Sequence, residues 1–120
     1  PRRVGPLDLV ATRYGVQIQG ATDVALTKLD VLSYMEQIPV CTNYRLDGVV
    51  TDEFPFPAAL PKAEPVVEYL AGWHCDISKI RTWENLPKAA QNYVRFVEQC
   101  IGCPVTYVSV GPERDAYIKR

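Results

Sequence analysis

Apolar residues recur every three or four positions in two stretches of the chain, a spacing that predicts two amphipathic helices. The first predicted helix covers residues 7–18 and ends at Gly20. The second is predicted to start from a cap at Asn85, to carry Pro87 in its first turn and to end at Gly102. The predicted buried stripe of this second helix consists of Leu86, Ala90, Tyr93, Val97 and Ile101.

Shorter apolar runs, bounded by turn residues and rich in β-branched side chains, predict strands. They cover residues 24–29, 38–46, 49–51, 66–70 and 105–110. Asp47-Gly48 separates two of these runs and predicts a hairpin. A helical turn is predicted after the first strand, whereas the prolines between residues 52 and 65 exclude a helix interior or a central strand there. We expect that proline-rich stretch to be an ordered surface segment.

This order of elements predicts an α/β fold, in which a mixed β-sheet is flanked by the helices that start near Leu7 and Leu86. With 120 residues, 48% of them hydrophobic, the chain is predicted to form one domain over residues 1–120 with a buried core. Asp30 and Gly111 each follow a predicted strand. Because ligands of open α/β sheets bind beyond the carboxyl ends of the strands, both positions are candidates for a binding site.

Charge and hydropathy narrow the function classes. Thirteen Lys and Arg against fourteen Asp and Glu give a net charge of −1, so no overall field attracts nucleic acid or an anionic membrane. No apolar run approaches the roughly 18 residues that a bilayer-spanning helix needs. The four cysteines come without a secretory signal, so reduced thiols and a cytoplasmic location are expected. Because Pro1 replaces an initiator Met, we expect a segment of a longer protein.

The segment Thr27-Lys28-Leu29-Asp30 has the layout of a guanine-reading motif: a polar residue, Lys, any residue, then Asp. Guanine presents N1–H and its 2-amine side by side, and one carboxylate accepts from both. Adenine lacks this donor pair, and each such charge-assisted hydrogen bond contributes about 1.5–3 kcal/mol. The stem of Lys28 can lie along the purine face. Taken alone, however, the segment is more typical of a strand end with a solvated Lys and Asp.

Two other signals favour ordinary structural roles. Cys100 and Cys103 form a CxxC spacing, but a zinc site needs two more ligands and no second pair exists. A redox role is disfavoured because this CxxC ends a predicted helix instead of beginning one. His74, the sole histidine, is expected to be structural or exposed. The sequence leaves any role of the two cysteines open.

Beyond the short motif, ordered blocks along essentially all 120 residues resemble adenylosuccinate synthetases. The blocks are Pro1-Arg2-Arg3 with Gly5 and Asp8, Leu26 to Leu32, Cys41 with Tyr44, Gly72-Trp73, Leu86-Pro87 with Ala90 and Tyr93, and Ser109-Val110-Gly111-Pro112-Glu113-Arg114. The resemblance implies that the chain is the C-terminal part of this family's larger, P-loop-like fold, with the N-terminal catalytic half absent.

The resemblance also implies an activity. Members of the family join L-aspartate to IMP at the expense of GTP, giving adenylosuccinate, GDP and phosphate, the committed step from IMP to AMP. O6 of IMP first attacks the γ-phosphate of GTP, and the aspartate amine then displaces phosphate. Mg²⁺ offsets phosphate charge in such transfers, and its ligands are expected in the absent half. A homodimer is implied for the full-length enzyme.

Carried over residue by residue, the resemblance assigns GTP contacts to Arg2, Lys28, Leu29, Asp30, Ser109, Val110 and Gly111, and substrate contacts to Pro1 and Arg2. Asp30 is the expected reader of the base. No catalytic residue and no metal ligand is expected in this chain, so the segment is predicted to recognise guanine and to be inactive alone. The alternative is a non-catalytic guanine-nucleotide-binding or interaction module.

Overall fold

The computed structural model describes residues 5–120, and this range contains two helices and seven strands. Their bounds are β1 Leu7–Asp8, α1 Leu9–Gln19, β2 Val24–Leu26, β3 Gln37–Leu46, β4 Val49–Thr51, β5 Glu64–Ala71, α2 Lys88–Ile101, β6 Val105–Ser109 and β7 Tyr117–Lys119. Short 3-10 turns occupy Leu29–Leu32, Leu60–Lys62 and Trp83–Asn85. The predicted α/β class, with mixed strand pairing and flanking helices, is confirmed.

The strands divide between two mixed sheets. In the first, β3 pairs with β1 in parallel and with β4 and β5 in antiparallel orientation. In the second, β6 pairs with β2 in parallel and with β7 in antiparallel orientation. The predicted hairpin at Asp47-Gly48 is confirmed as the β3–β4 turn, where both residues have positive φ, 52° and 79°. Each sheet is therefore built from two separate stretches of the chain: β1 with β3 to β5, and β2 with β6 and β7.

The helix ends follow local chemistry. Asp8 caps α1 by accepting a hydrogen bond from the Ala11 amide, and Gly20 ends the helix in the left-handed conformation with φ 64°. The prediction that this helix starts at residue 7 was wrong, because Leu7 and Asp8 pair with β3. The prediction that Asn85 caps the second helix was also wrong: Asn85 belongs to a 3-10 turn, and Pro87 takes the cap position.

The core lies between α2 and the sheets, and all five residues of the predicted stripe are confirmed as buried, although Leu86 precedes α2. The fully buried side chains of this main core include Leu9, Leu29, Ile38, Ile77, Val94, Val105, Val108, Val110 and Ile118. A second, smaller cluster consists of Val10, Cys41 and Tyr44. None of the helices within residues 5–120 is long and apolar enough to cross a membrane.

Two strands differ from their predicted bounds by more than one residue. The first predicted strand ends at Leu26 instead of residue 29, because the chain turns into the 3-10 segment from Leu29. The strand predicted over residues 66–70 starts earlier, at Glu64, and includes Pro65 opposite Tyr44. Proline is tolerated there because β5 is an edge strand with a partner on one side only.

Candidate functional site

The parallel pairing of β2 and β6 brings two predicted loops to the same edge of the second sheet. Leu26 lies opposite Val108, so Thr27 leaves one strand where Ser109 ends its neighbour. The Val24 amide donates to the Pro104 carbonyl oxygen at 2.9 Å, which fixes the start of this pairing. The two segments singled out in the sequence, residues 27–30 and 109–111, therefore leave neighbouring strands at their carboxyl ends.

The segment after β2 is a tight turn with an unusual backbone at its entry. Lys28 is exposed and left-handed, with φ 63°, and its carbonyl oxygen accepts from the Val31 amide at 3.3 Å. Leu29 is only 1% exposed and packs in the main core. Asp30 is half-buried, and within residues 5–120 its carboxylate accepts no hydrogen bond. That carboxylate is therefore available to an external donor.

The loop after β6 is compact. The Ser109 hydroxyl donates to the Gly111 carbonyl oxygen at 3.2 Å, and the Val110 amide donates to the Ala116 carbonyl oxygen at 2.9 Å. The side chain of Val110 is fully buried. A Cβ atom at Gly111 would lie 3.0 Å from the Glu113 carboxylate and 3.1 Å from the Ala116 Cβ, so the loop leaves little room for a side chain there.

A cleft of about 450 Å³ lies against this edge of the sheet. Its walls include Thr27 and Ser109 from the two loops, with Tyr107, Tyr117 and Arg114 beside them. The rings of Tyr107 and Tyr117 lie 5.7 Å apart between centroids and are tilted by 58°. This volume is within the range of about 300–1,000 Å³ that is typical of small-molecule sites.

The predicted site residues take different positions around this cleft. Thr27 and Ser109 line it, whereas Lys28 and Asp30 follow Thr27 and do not form its wall. Leu29 and Val110 are buried as whole residues, at 1% and 0% exposure, so neither forms part of the cleft wall. The sequence motifs did not identify Arg114 and Tyr117 as wall residues. Tyr117 belongs to the short strand β7, which carries no recognisable signal of its own, and Arg114 lies in the loop before it. Pro1 and Arg2 lie outside the described residues.

The described part of the chain offers no metal centre: among residues 5–120, no three His, Cys, Asp or Glu side chains are arranged to hold an ion. Mg²⁺ therefore does not fit the described residues by themselves. In the CxxC spacing, Cys103 is buried and contacts the Ala21 carbonyl oxygen at 3.8 Å. Burial, with a smaller effect of Glu68, raises the pKa of Cys100, which makes it a poorer nucleophile.

The sequence model of the family described as adenylosuccinate synthetase matches residues 1–118. The chain belongs to the adenylosuccinate synthetase family. It is 51% identical over 121 residues to an adenylosuccinate synthetase of Acidothermus cellulolyticus, and 50% identical over 119 residues to one of Geobacter sulfurreducens. These alignments cover 99% and 98% of the chain and 28% of each relative.

The fold agrees with this membership. A solved structure of fully ligated adenylosuccinate synthetase from Plasmodium falciparum matches with a TM-score of 0.93 and 34% sequence identity, over 100% of this chain and 30% of that one. The chain thus spans less than a third of the length of the family members it matches.

Proposed function

We propose that this chain supplies the guanine-recognition part of a GTP-dependent ligase that converts IMP and L-aspartate to adenylosuccinate, GDP and phosphate. The observation that carries the proposal is the parallel β2–β6 pair, from which the Thr27–Asp30 segment and the Ser109–Gly111 loop leave side by side, next to a cleft of suitable size. Membership of the adenylosuccinate synthetase family supports the reaction.

The chemistry of these residues favours guanine over adenine. The Asp30 carboxylate has no internal partner among the described residues and can accept both N1–H and the 2-amine of guanine. Adenine would leave this half-buried carboxylate unpaired, which a site of this type penalises strongly. The exposed Lys28 stem can cover one face of the base. The compact Ser109–Gly111 backbone can approach the base from the other strand.

In the proposed reaction, this chain binds and orients the nucleotide and moves no proton itself. Arg2, which matches a loop arginine of the family, is proposed to contact the nucleotide and substrate, with Pro1 beside it in the substrate loop. Mg²⁺, when bound, offsets charge on the phosphates. We place its ligands and the catalytic residues in the part of the enzyme that lies outside this chain, and we propose that the whole enzyme is cytoplasmic and homodimeric.

Nucleotide titration tests the assigned role. We expect the chain to bind GDP weakly but more tightly than ADP, because most phosphate contacts lie elsewhere in the proposed enzyme. Asp30→Ala is expected to abolish the difference. A matched control is Asp115→Ala, an exposed carboxylate in the loop before β7; it should keep the preference. Equal affinity of the unmodified chain for GDP and ADP would contradict the proposed role of Asp30.

A second observation separates the ligase from a non-catalytic guanine-nucleotide-binding module. The gene that encodes this chain should also encode a glycine-rich phosphate loop and a threonine-rich segment outside these 120 residues. Adenylosuccinate formation by the encoded full-length protein is the corresponding activity assay. Unrelated domains in place of these two segments, together with retained GDP preference, would favour the module instead.

A further inference from the structure

The turn that carries Asp30 is held at its far end by the Gly72-Trp73 pair. The indole Nε1–H of Trp73 donates to the Ser33 hydroxyl oxygen at 3.1 Å. The amide of Ser33 in turn donates to the Asp30 carbonyl oxygen at 3.1 Å. Two consecutive hydrogen bonds therefore join the Trp73 ring to the residue that we propose reads the base.

Trp73 is itself fixed by the core. Its side chain is only 7% exposed and meets Tyr93 of α2 edge to face, with ring centroids 6.0 Å apart and planes inclined by 66°. Tyr93 is 4% exposed. Edge-to-face aromatic pairs of this kind stabilise one relative orientation. The hydrogen bond to Ser33 thus connects the Asp30 turn to the main helix of the domain.

The backbone of Gly72 also packs tightly against the segment that follows the turn. The Gly72 amide donates to the Glu36 carbonyl oxygen at 3.0 Å, and a Cβ atom at Gly72 would lie 1.9 Å from the Met35 carbonyl oxygen. A 3-10 turn has poorer hydrogen-bond geometry than an α-helix and depends on such outside contacts. Acceptance of two donors by one carboxylate is sensitive to distance and angle, so the position of this turn matters for binding.

We propose that Trp73 is a positioning residue for guanine recognition: through Ser33 it sets the depth and orientation at which the Asp30 carboxylate meets the base. This inference rests on the proposed role of Asp30. Neither Trp73 nor Ser33 lines the cleft, so their effect passes through the turn. Loss of the Trp73–Ser33 contact should therefore reduce the discrimination between guanine and adenine, in addition to any loss of stability.

The test compares GDP and ADP affinities by NMR titration, which measures dissociation constants into the millimolar range. Ser33→Ala removes the acceptor and Trp73→Phe removes the donor while keeping an aromatic ring. Each is expected to lower the GDP-to-ADP preference by about three- to tenfold, the factor corresponding to one lost hydrogen bond. Ser33→Thr keeps a hydroxyl and should restore most of the preference.

Gln91→Ala is the matched control for stability. Gln91 lies in the first turn of α2 and donates to the Trp83 and Leu86 carbonyl oxygens at 2.9 and 3.3 Å, away from the Ser33 bond. Its loss should lower the melting temperature without changing base preference. If Ser33→Ala and Trp73→Phe also lose stability but keep the GDP-to-ADP ratio, the positioning role is overturned while the proposed function stands. If the unmodified chain shows no GDP preference, both fail together.

Discussion

The guanidinium carbon of Arg120 lies 4.0 Å from the centre of the Trp83 ring. The same guanidinium pairs with Glu98 of α2 at 2.7 Å and donates to the Val105 carbonyl oxygen at 3.3 Å. Arg95 approaches the Trp83 ring as a second cation, at 5.5 Å. The last residue of the chain is therefore tied to both the main helix and the sheet that borders the cleft.

Glu98 makes this connection dependent on pH. Partial burial acts to raise the pKa of its carboxyl. Hydrogen bonds from Arg120 and the Val105 amide, together with the positive charges of Arg120 and Arg95, outweigh burial and lower the pKa below the ordinary value of 4.5. A carboxyl with a lowered folded pKa stabilises the protein above its unfolded pKa and loses that contribution as the pH falls through the folded value.

We expect Glu98→Gln to lower the melting temperature at pH 7 and to flatten the acid-side loss of stability that starts below the ordinary Glu pKa. The cost at neutral pH should be about 1–3 kcal/mol, as for a hydrogen bond to a charged group. Thermal unfolding at a series of pH values measures both effects. Glu84→Gln, at an exposed position, is the control and should follow the unmodified chain.

Asp8 and Tyr44 are predicted to be energetically coupled. Asp8 caps α1, and its second carboxylate oxygen accepts a short hydrogen bond from the Tyr44 hydroxyl. Burial and this bond raise the pKa of Tyr44. Asp8→Ala should lower the free energy of unfolding by about 1–2 kcal/mol through loss of the cap. Loss of the hydrogen bond from Tyr44 should lower it further. A double-mutant cycle with Tyr44→Phe in urea should give a coupling of at least about 0.5 kcal/mol; additive effects would contradict the pairing.

Gly72→Ala is expected to be strongly destabilising. The added Cβ would lie 1.9 Å from the Met35 carbonyl oxygen, a backbone atom that cannot swing aside, so strain of about 3 kcal/mol or more is expected. Gly15→Ala is the matched control: it lies inside α1 with open space around its Cβ position. It should stabilise the chain by up to about 1 kcal/mol. Urea unfolding of the two variants measures the contrast.

Lys28 allows the backbone and side-chain contributions of one residue to be separated. Its left-handed φ of 63° costs a non-glycine residue about 1–2 kcal/mol. Lys28→Gly should therefore be more stable than Lys28→Ala by about 1 kcal/mol. Both variants lose the stem proposed to cover the purine, so both should weaken GDP binding equally. Unequal binding losses would indicate that the conformation of the turn, and not the side chain, carries the effect.

Sequence patterns predicted the elements whose signals are local. The 3.6-residue spacing in α2 and the Asp47-Gly48 turn are decided by neighbours in sequence, and both were confirmed. The two-residue strand β1 and the three-residue strand β7 were missed because they exist only through pairing with β3 and β6. The cap of α2 was misassigned because Asn85 is an intrinsically good cap, whereas the preceding 3-10 turn uses it otherwise.

The candidate site was predictable only in part for the same reason. Asp30 and Gly111 stood out because each follows a predicted strand, and the parallel pairing of β2 with β6 agrees with the expectation that their segments share one edge of a sheet. The tyrosine pair and Arg114 in the cleft could not be found from sequence, since they come together through β7. The connection from Trp73 to Ser33 joins residues of two separate loops and has no pattern in sequence.

The alternation of the chain between its two sheets has a kinetic consequence. β2 lies near the start of the chain, whereas its partner β6 lies near the end, after β3, β4, β5 and α2. Pairing of such distant segments loses the most chain entropy through loop closure, and these pairings tend to form late. The cleft edge should therefore be among the last parts to assemble, and a ligand held there would slow unfolding more than it would speed folding.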